Sequence, residues 1–288
     1  MLRLFLYAIR IKTLAASLSP AVLGSALAYH HGAFSPWVFA WGCGTIICLQ
    51  MGTNLANDYY DAKRGGDRNR QHGTTRLTAA GWVAPPTMYA WMVGTFLAGL
   101  MCSVPLVYAG GWILMGIIGL GATVGYMYTG GPYPLAYHGL GDLAVFSLLG
   151  PLATGSAYYL HTHQWHSDAL ILSLIPGCMA AAILLVNNMR DCVEDQHNRK
   201  YTLVVRFGLP MGRVLYWIML GIALCVPAIL ASRYPIAIAY VATPLLIRPL
   251  QIIHTPPSPA FNTALAQTAL FLIVFSIGIG IVLIATAY

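Results

Sequence analysis

Six of the eight carboxylates in this chain stand in two short stretches. Asp58, Asp61 and Asp67 fall between Asn54 and Asp67, and Asp191, Glu194 and Asp195 fall between Asn187 and Lys200. In each stretch an Asn precedes an Asp by four residues, Asn57 before Asp61 and Asn187 before Asp191, so that on a helix the amide and the carboxylate share a face. Asn54 extends the first row, Asp195 extends the second, and Asn188 flanks it. Carboxylates bunched this closely repel one another, and beside a membrane they also lose hydration, so a cation must offset them. Mg²⁺ suits such rows, because it prefers oxygen and is commonly held by one or two carboxylates together with substrate phosphate oxygens. A transition metal would ask for His or Cys, which the rows do not supply. Lys63 and Arg64 follow the first row, and Arg199, Lys200 and Arg206 follow the second. Bases of this kind take the phosphate oxygens that a metal leaves over. The expected site thus has Asp58, Asp61, Asp67, Asp191 and Asp195 on Mg²⁺ and those five bases on a diphosphate. Asn54, Asn57, Asn187 and Asn188 stand beside the substrate. A solvated rim of ion pairs would explain one such stretch, but two matching ones argue for a site.

The rows need rigid elements to hold them, and the composition says what these are. Of 288 residues, 58% are hydrophobic and 8% charged, against roughly 45–50% and about 25% in soluble domains. Apolar stretches near 13–31, 36–57, 88–109, 111–128, 142–160, 169–188, 211–231, 234–253 and 263–286 are each about as long as a helix that crosses a bilayer. Backbone groups in lipid must be satisfied within the chain, and turns such as Gly130-Gly131-Pro132 divide units of helical length. The expected fold is an all-α integral membrane protein of about nine transmembrane helices in one domain, 1–288, with the lipid bilayer as solvent. Basic residues alternate by loop, which places the N-terminus in the cytoplasm and the C-terminus outside. The same placement accounts for the net charge of +7 without a nucleic-acid partner. Both acidic rows then fall at the cytoplasmic ends of even-numbered spans. Six cysteines with no C-x-x-C pair read as packing residues, and His161-x-His163-x-x-His166 reads as a hydrophilic outer loop, not a metal site.

Asn57-Asp58-Tyr59-Tyr60-Asp61 and Asp191-Cys192-Val193-Glu194-Asp195 resemble the N-D-x-x-D and D-x-x-x-D motifs of the UbiA-type membrane prenyltransferases, and the likeness extends over nearly the whole chain. Four further segments resemble the branch of that family that acts on 1,4-dihydroxy-2-naphthoate. They begin at Arg10-Ile11-Lys12-Thr13-Leu14, at Gly73-Thr74-Thr75-Arg76-Leu77, at Tyr128-Thr129-Gly130-Gly131-Pro132-Tyr133, and at Lys200-Tyr201-Thr202-Leu203. Ile11 and Thr74 replace prolines of the family pattern, and Asp142 stands where Glu is usual.

The resemblance implies a polyprenyl diphosphate donor, 1,4-dihydroxy-2-naphthoate as aromatic acceptor, loss of CO₂, Mg²⁺ as cofactor and a place in the cell inner membrane. Asp61, Asp191, Lys12, Arg76 and Tyr128 are then the catalytic candidates. Lys12 and Arg76 face the acceptor carboxylate, Tyr128 or Tyr133 the allylic cation, and Asp142 the substrate. Another acceptor, 4-hydroxybenzoate or homogentisate, is the main alternative. The loop after 111–128 lacks the Lys-Arg pair usual with 4-hydroxybenzoate. A cation-coupled transporter is the alternative from another class, but such carriers place their acids at mid-membrane.

Overall fold

The computed structural model describes residues 1–65, 73 and 75–287, with the backbone alone at Lys12, Thr13 and Ala15. Asp67, His72, Thr74 and the Lys12 side chain therefore lie outside the described residues. Among the described residues every regular element is helical. In order these are α1 (Leu2–Ala8), α2 (Ile11–Ser17), α3 (Ser19–His30), α4 (Pro36–Lys63), α5 (Pro85–Gly110) and α6 (Trp112–Met127). A 3₁₀ turn at Leu135–His138 leads into α7 (Gly141–Ser147), which continues through a π-helical stretch, Leu148–Leu152, into α8 (Ala153–Thr162). Next come α9 (Ser167–Arg190), the short α10 (Cys192–His197) and α11 (Leu203–Leu230). A 3₁₀ segment at Ile236–Leu246, α12 (Ile247–Ile253) and α13 (Phe261–Ala285) complete the bundle.

Seven of these units are long and apolar enough to cross a membrane: 36–63, 85–110, 141–162, 167–190, 203–230, 236–253 and 261–285. The other two expected spans meet shorter helices. The first is divided by a break between α2 and the 12-residue α3, and α6 has 16 residues. Large apolar side chains such as Leu97, Met101, Ile238, Val241 and Ile281 point outward, as they do where lipid is the solvent. The chain is a multi-pass membrane protein.

Local chemistry sets the ends and breaks. Ser35 caps α4, its hydroxyl accepting from the Val38 amide, with Pro36 at the first helical position. Gly111, at φ 74°, separates α5 from α6 in a conformation that L side chains avoid. Pro151 removes a helical donor, and Gly150 leaves helical geometry, so the span from Gly141 to Thr162 is broken near its middle. At that break Gly150 meets Gly177 of α9 so closely that a Cβ on Gly150 would stand 2.9 Å from the Gly177 Cα.

The helix α9 runs through the main core, where Leu172, Ile175, Cys178, Met179, Ala182 and Val186 pack against α3, α11 and α13. A smaller core lies under α4 and α5, around Leu55, Ala56, Leu77, Met88 and Met92. Between the two cores remains a space bounded by α3, α4, α6, α7, α8 and α9. The acidic rows stand at one end of it.

Candidate active site

The first row rides the last turns of α4. Asn54 donates from its amide to the Ile9 carbonyl at 2.8 Å and so ties the N-terminal segment to the row. Asn57 accepts at its Oδ1 from the Thr129 hydroxyl at 2.8 Å. Asp58 accepts two backbone amides, Leu77 at Oδ2 and Thr78 at Oδ1, each at 2.9 Å. That pair of bonds holds the segment carrying Arg76, whose Nη2 lies 3.6 Å from Oδ2 of Asp61. The other oxygen of Asp61 accepts from the Tyr137 hydroxyl at 2.8 Å.

The second row survives a break in its helix. Asp191 is the junction of α9 and α10, yet its amide still donates to the Asn187 carbonyl, and the Asp195 amide to the Asp191 carbonyl. The four-residue register expected for Asn187, Asp191 and Asp195 therefore continues through the junction. Arg190 grips both oxygens of Asp191, Nε at 2.6 Å and Nη2 at 2.7 Å, and reaches Asn187 and Asn262 at 2.7 Å each. Lys200 approaches Asp195 at 3.5 Å. Asp58, Asp61, Asp191 and Asp195 are between 3% and 6% exposed, and such burial demands counter-charge.

Tyr128 lies near one carboxylate of each row. This side chain follows α6, and its hydroxyl lies within electrostatic reach of Asp142, Asp195 and Asp61, and of Arg10. Asp142, in the first turn of α7, is buried, and its Oδ1 has no hydrogen-bond partner among the described residues. The loop tyrosine that joins the acids is Tyr137, whereas Tyr133 is half exposed and stacks on His138 at 3.7 Å.

The expected diphosphate bases divide. Lys200 lines the cavity, together with Arg76 and with Arg10, which the sequence marks only as part of an opening motif. Lys63 is exposed above the Tyr59 ring, and Arg199 is exposed. Arg64 donates to the carbonyls of Thr129 and Gly131 and sits 4.8 Å from the Tyr137 ring centre. Arg206 donates to the carbonyls of Tyr201 and His138 at 3.0 and 3.1 Å. In this structure Arg64 and Arg206 thus pin loops around the mouth.

The cavity holds about 320 Å³. At its polar end stand Asn54, Asn57, Asn187 and Asn188 with the three bases, and from there the walls turn apolar through Ile46, Leu49, Ile117, Leu148 and Leu152. It suits an amphiphile with an anionic head. The head end also fits a hard divalent cation, because the donors around it are the carboxylate oxygens of the two rows and the amide oxygens of Asn57 and Asn187. Among the described residues no three His, Cys, Asp or Glu side chains converge as a metal-holding group, so the structure does not gather the expected ligands Asp58, Asp61, Asp191 and Asp195 into one cluster.

The three histidines of the H-x-H-x-x-H segment point apart. His161 bonds Ser25, His163 caps α8 in the left-handed conformation, and His166 lies against Asp168 and His31.

Fold and cavity together define a polytopic membrane protein with space for an apolar chain whose anionic head meets an end lined by amides and bases, beside the buried acidic rows. The chain belongs to the UbiA prenyltransferase family, whose profile matches residues 17–272, and it is a transferase of the prenyl type. It is 33% identical to the 1,4-dihydroxy-2-naphthoate octaprenyltransferase of Haemophilus influenzae over 94% of this chain and 93% of that one. With the enzyme of the same name from Escherichia coli it is 32% identical over 71% of this chain and 68% of the relative. A solved UbiA homolog from Archaeoglobus fulgidus, bound to DMAPP and Mg²⁺, has the same fold, with a TM-score of 0.68, 14% identity and coverage of 98% and 99%.

Proposed function

We propose that the protein transfers a polyprenyl chain from polyprenyl diphosphate to 1,4-dihydroxy-2-naphthoate, with release of diphosphate and CO₂. The observation that carries this is the cavity itself, anionic-head chemistry at one end and an apolar bore beyond it, between two buried acidic rows. The names of the Haemophilus influenzae and Escherichia coli relatives support the acceptor, and the A. fulgidus homolog supports the metal. We further propose nine membrane crossings in a single domain, 1–288, with a cytoplasmic N-terminus and the acidic rows at the cytoplasmic face of the inner membrane.

In this proposal Asp61, Asp191 and Asp195 hold Mg²⁺, with Asn57 and Asn188 beside them, and Asp58 fixes the Arg76 segment behind. Mg²⁺, when bound, supplies positive charge that offsets the leaving diphosphate. Lys200, Arg76 and Arg10 hold phosphate oxygens or the acceptor carboxylate. As the allylic C–O bond breaks, its electron pair departs with the diphosphate, and the apolar walls keep water from the cation left behind. The Tyr128 ring stands at that point and stabilises the cation through its face. The ring carbon bearing the acceptor carboxylate then forms the new C–C bond, and the electrons of the broken C–CO₂ bond restore the aromatic ring.

The test is purified protein in lipid nanodiscs with Mg²⁺, a polyprenyl diphosphate and dihydroxynaphthoate, scored for prenylated product and CO₂. EDTA should abolish turnover and added Mg²⁺ restore it. Product from 4-hydroxybenzoate and none from dihydroxynaphthoate would overturn the acceptor while leaving prenyl transfer standing.

A further inference from the structure

A carboxylate cut off from water must meet a base, a set of donors or a proton of its own. Six carboxylates are buried among the described residues, and five are answered by their neighbours. Two amides meet Asp58, Arg76 and Tyr137 meet Asp61, Arg233 and Tyr234 meet Asp168, Arg190 grips Asp191, and Lys200 approaches Asp195. The sixth is Asp142, 8% exposed, whose Oδ1 has no hydrogen-bond partner among the described residues. The metal and phosphate contacts proposed above make no use of it.

Its place on the helix shows what it can reach. Asp142 opens α7, and Val145, three residues on and on the same helical face, lines the cavity. Tyr128 lines the cavity too, whereas Asp142 is set back from it. The Tyr128 hydroxyl comes so close to α7 that a Cβ on Gly141 would stand 3.2 Å from it. Of the charged groups that act on this hydroxyl, Asp142 acts most strongly, ahead of Asp195, Asp61 and Arg10. The other titratable groups on elements beside α7 are engaged elsewhere. Arg190 of α9 is taken by Asp191, Tyr137 and His138 of the 3₁₀ turn by Asp61 and the Pro134 carbonyl, and Arg206 by the carbonyls of Tyr201 and His138. The Tyr128 hydroxyl is thus the link between the cavity and Asp142.

We propose that Asp142, acting through the Tyr128 hydroxyl, holds the acceptor's proton while the new C–C bond forms. The proposal rests on the function above, in which a hydroxyl stands on the ring carbon next to the one bearing the carboxylate. As the carboxylate-bearing carbon bonds to the allylic carbon, the O–H bond of that hydroxyl breaks and its electron pair makes a ring ketone. The proton goes to the Tyr128 oxygen, and the Tyr128 proton goes to Oδ1 of Asp142. The C–CO₂ bond then breaks with the ketone as electron sink, CO₂ leaves, and the ring double bond returns. The ketone oxygen takes its proton back along the same path, so none is consumed.

The experiment measures kcat at saturating polyprenyl diphosphate and dihydroxynaphthoate, in nanodiscs with Mg²⁺, for wild-type protein, Asp142→Asn, Asp142→Glu, Tyr128→Phe and the Asn–Phe double variant. Asp142→Asn is expected to lose on the order of 10²-fold near neutral pH, the scale of a general base, and Asp142→Glu to recover most of it. Its rate should climb about tenfold per pH unit from about pH 7 to about pH 9, where a phenol must ionise unaided, while the wild-type rate stays level. Tyr128→Phe keeps the ring face and loses the hydroxyl, so it should match Asp142→Asn. The double variant should be no slower than either single one, as groups acting as a unit behave. A loss in Asp142→Asn whose pH profile runs parallel to wild type, or losses that multiply in the double variant, overturns the relay. Wild-type protein that makes no product from dihydroxynaphthoate overturns the acceptor reading and the relay with it, a result distinct from the others.

Discussion

At one end of the bundle Asp168 is 1% exposed, and its oxygens are taken up by Arg233 and by the Tyr234 hydroxyl. Tyr234 also meets His31, and His31 meets Tyr158. The network joins the ends of α3, α8 and α9 to the turn after α11, and Asp168 lines neither described cavity. At the other end Asp61, Asp191 and Asp195 are as deeply buried and line neither cavity themselves, but their partners do: Arg76 meets Asp61, Lys200 meets Asp195, and Asn57, Asn187 and Asn188 share the cavity wall with both bases. Burial and ion pairing are common to both ends. The difference is what the partners face: the bases paired with Asp61 and Asp195 open onto a cavity, and the groups around Asp168 face only one another.

Substitutions can test that contrast. The largest effect is expected from Asp61→Asn and Asp191→Asn, each losing about 10³-fold in kcat/KM, the scale for removing one electrostatic group from a reacting centre. Circular dichroism should show the helices intact, and either variant keeping most of its activity would break the comparison. Arg76→Gln removes a charge that touches Asp61, and a loss on the order of 10²-fold is expected. The sharper readout is whether KM for the acceptor or for the donor rises, which tells the two binding roles apart.

Asp168→Asn should act on stability instead, costing about 2 kcal/mol through weakened bonds to Arg233 and Tyr234. Thermal unfolding in detergent would show it, while kcat per folded molecule stays at the wild-type value; a selective fall in kcat would give that end a catalytic role. The smallest effect belongs to His163→Gly. His163 is exposed with φ 56°, so glycine should leave turnover alone and shift stability upward by less than about 1 kcal/mol.

Sequence reasoning reaches furthest where the signal is local. The Asn-to-Asp spacing of four is enough to put Asn57 and Asp61 on a shared face, and the same register holds even through the junction at Asp191, because the backbone bonds carry on across it. Apolar length marks the helices, though α3 and α6 are too short to count by that measure alone. What stays hidden depends on contacts between distant segments. That Asn54 binds the Ile9 carbonyl, or Asp58 the amides of Leu77 and Thr78, has no trace in spacing. The choice of Tyr137 over Tyr133 turns on how the 3₁₀ turn at Leu135–His138 folds back over α4. Arg10 is visible in the opening motif, and its place on the cavity wall is not. The H-x-H-x-x-H segment reads in sequence as a hydrophilic loop, but His161 belongs to α8 and bonds Ser25, a contact that depends on α3 packing on α8.

The break at Gly150 and Pro151 divides one membrane span into two short levers. Asp142 rides on the lever near the acids, and His161 on the lever at the far end of the cavity. A continuous helix would pass any tilt at one end directly to the other, whereas the interrupted ladder absorbs it at Leu148–Leu152. The two ends of the cavity are therefore served by separate segments of one span. An engineer, or a lineage under selection, could retune either without disturbing its counterpart.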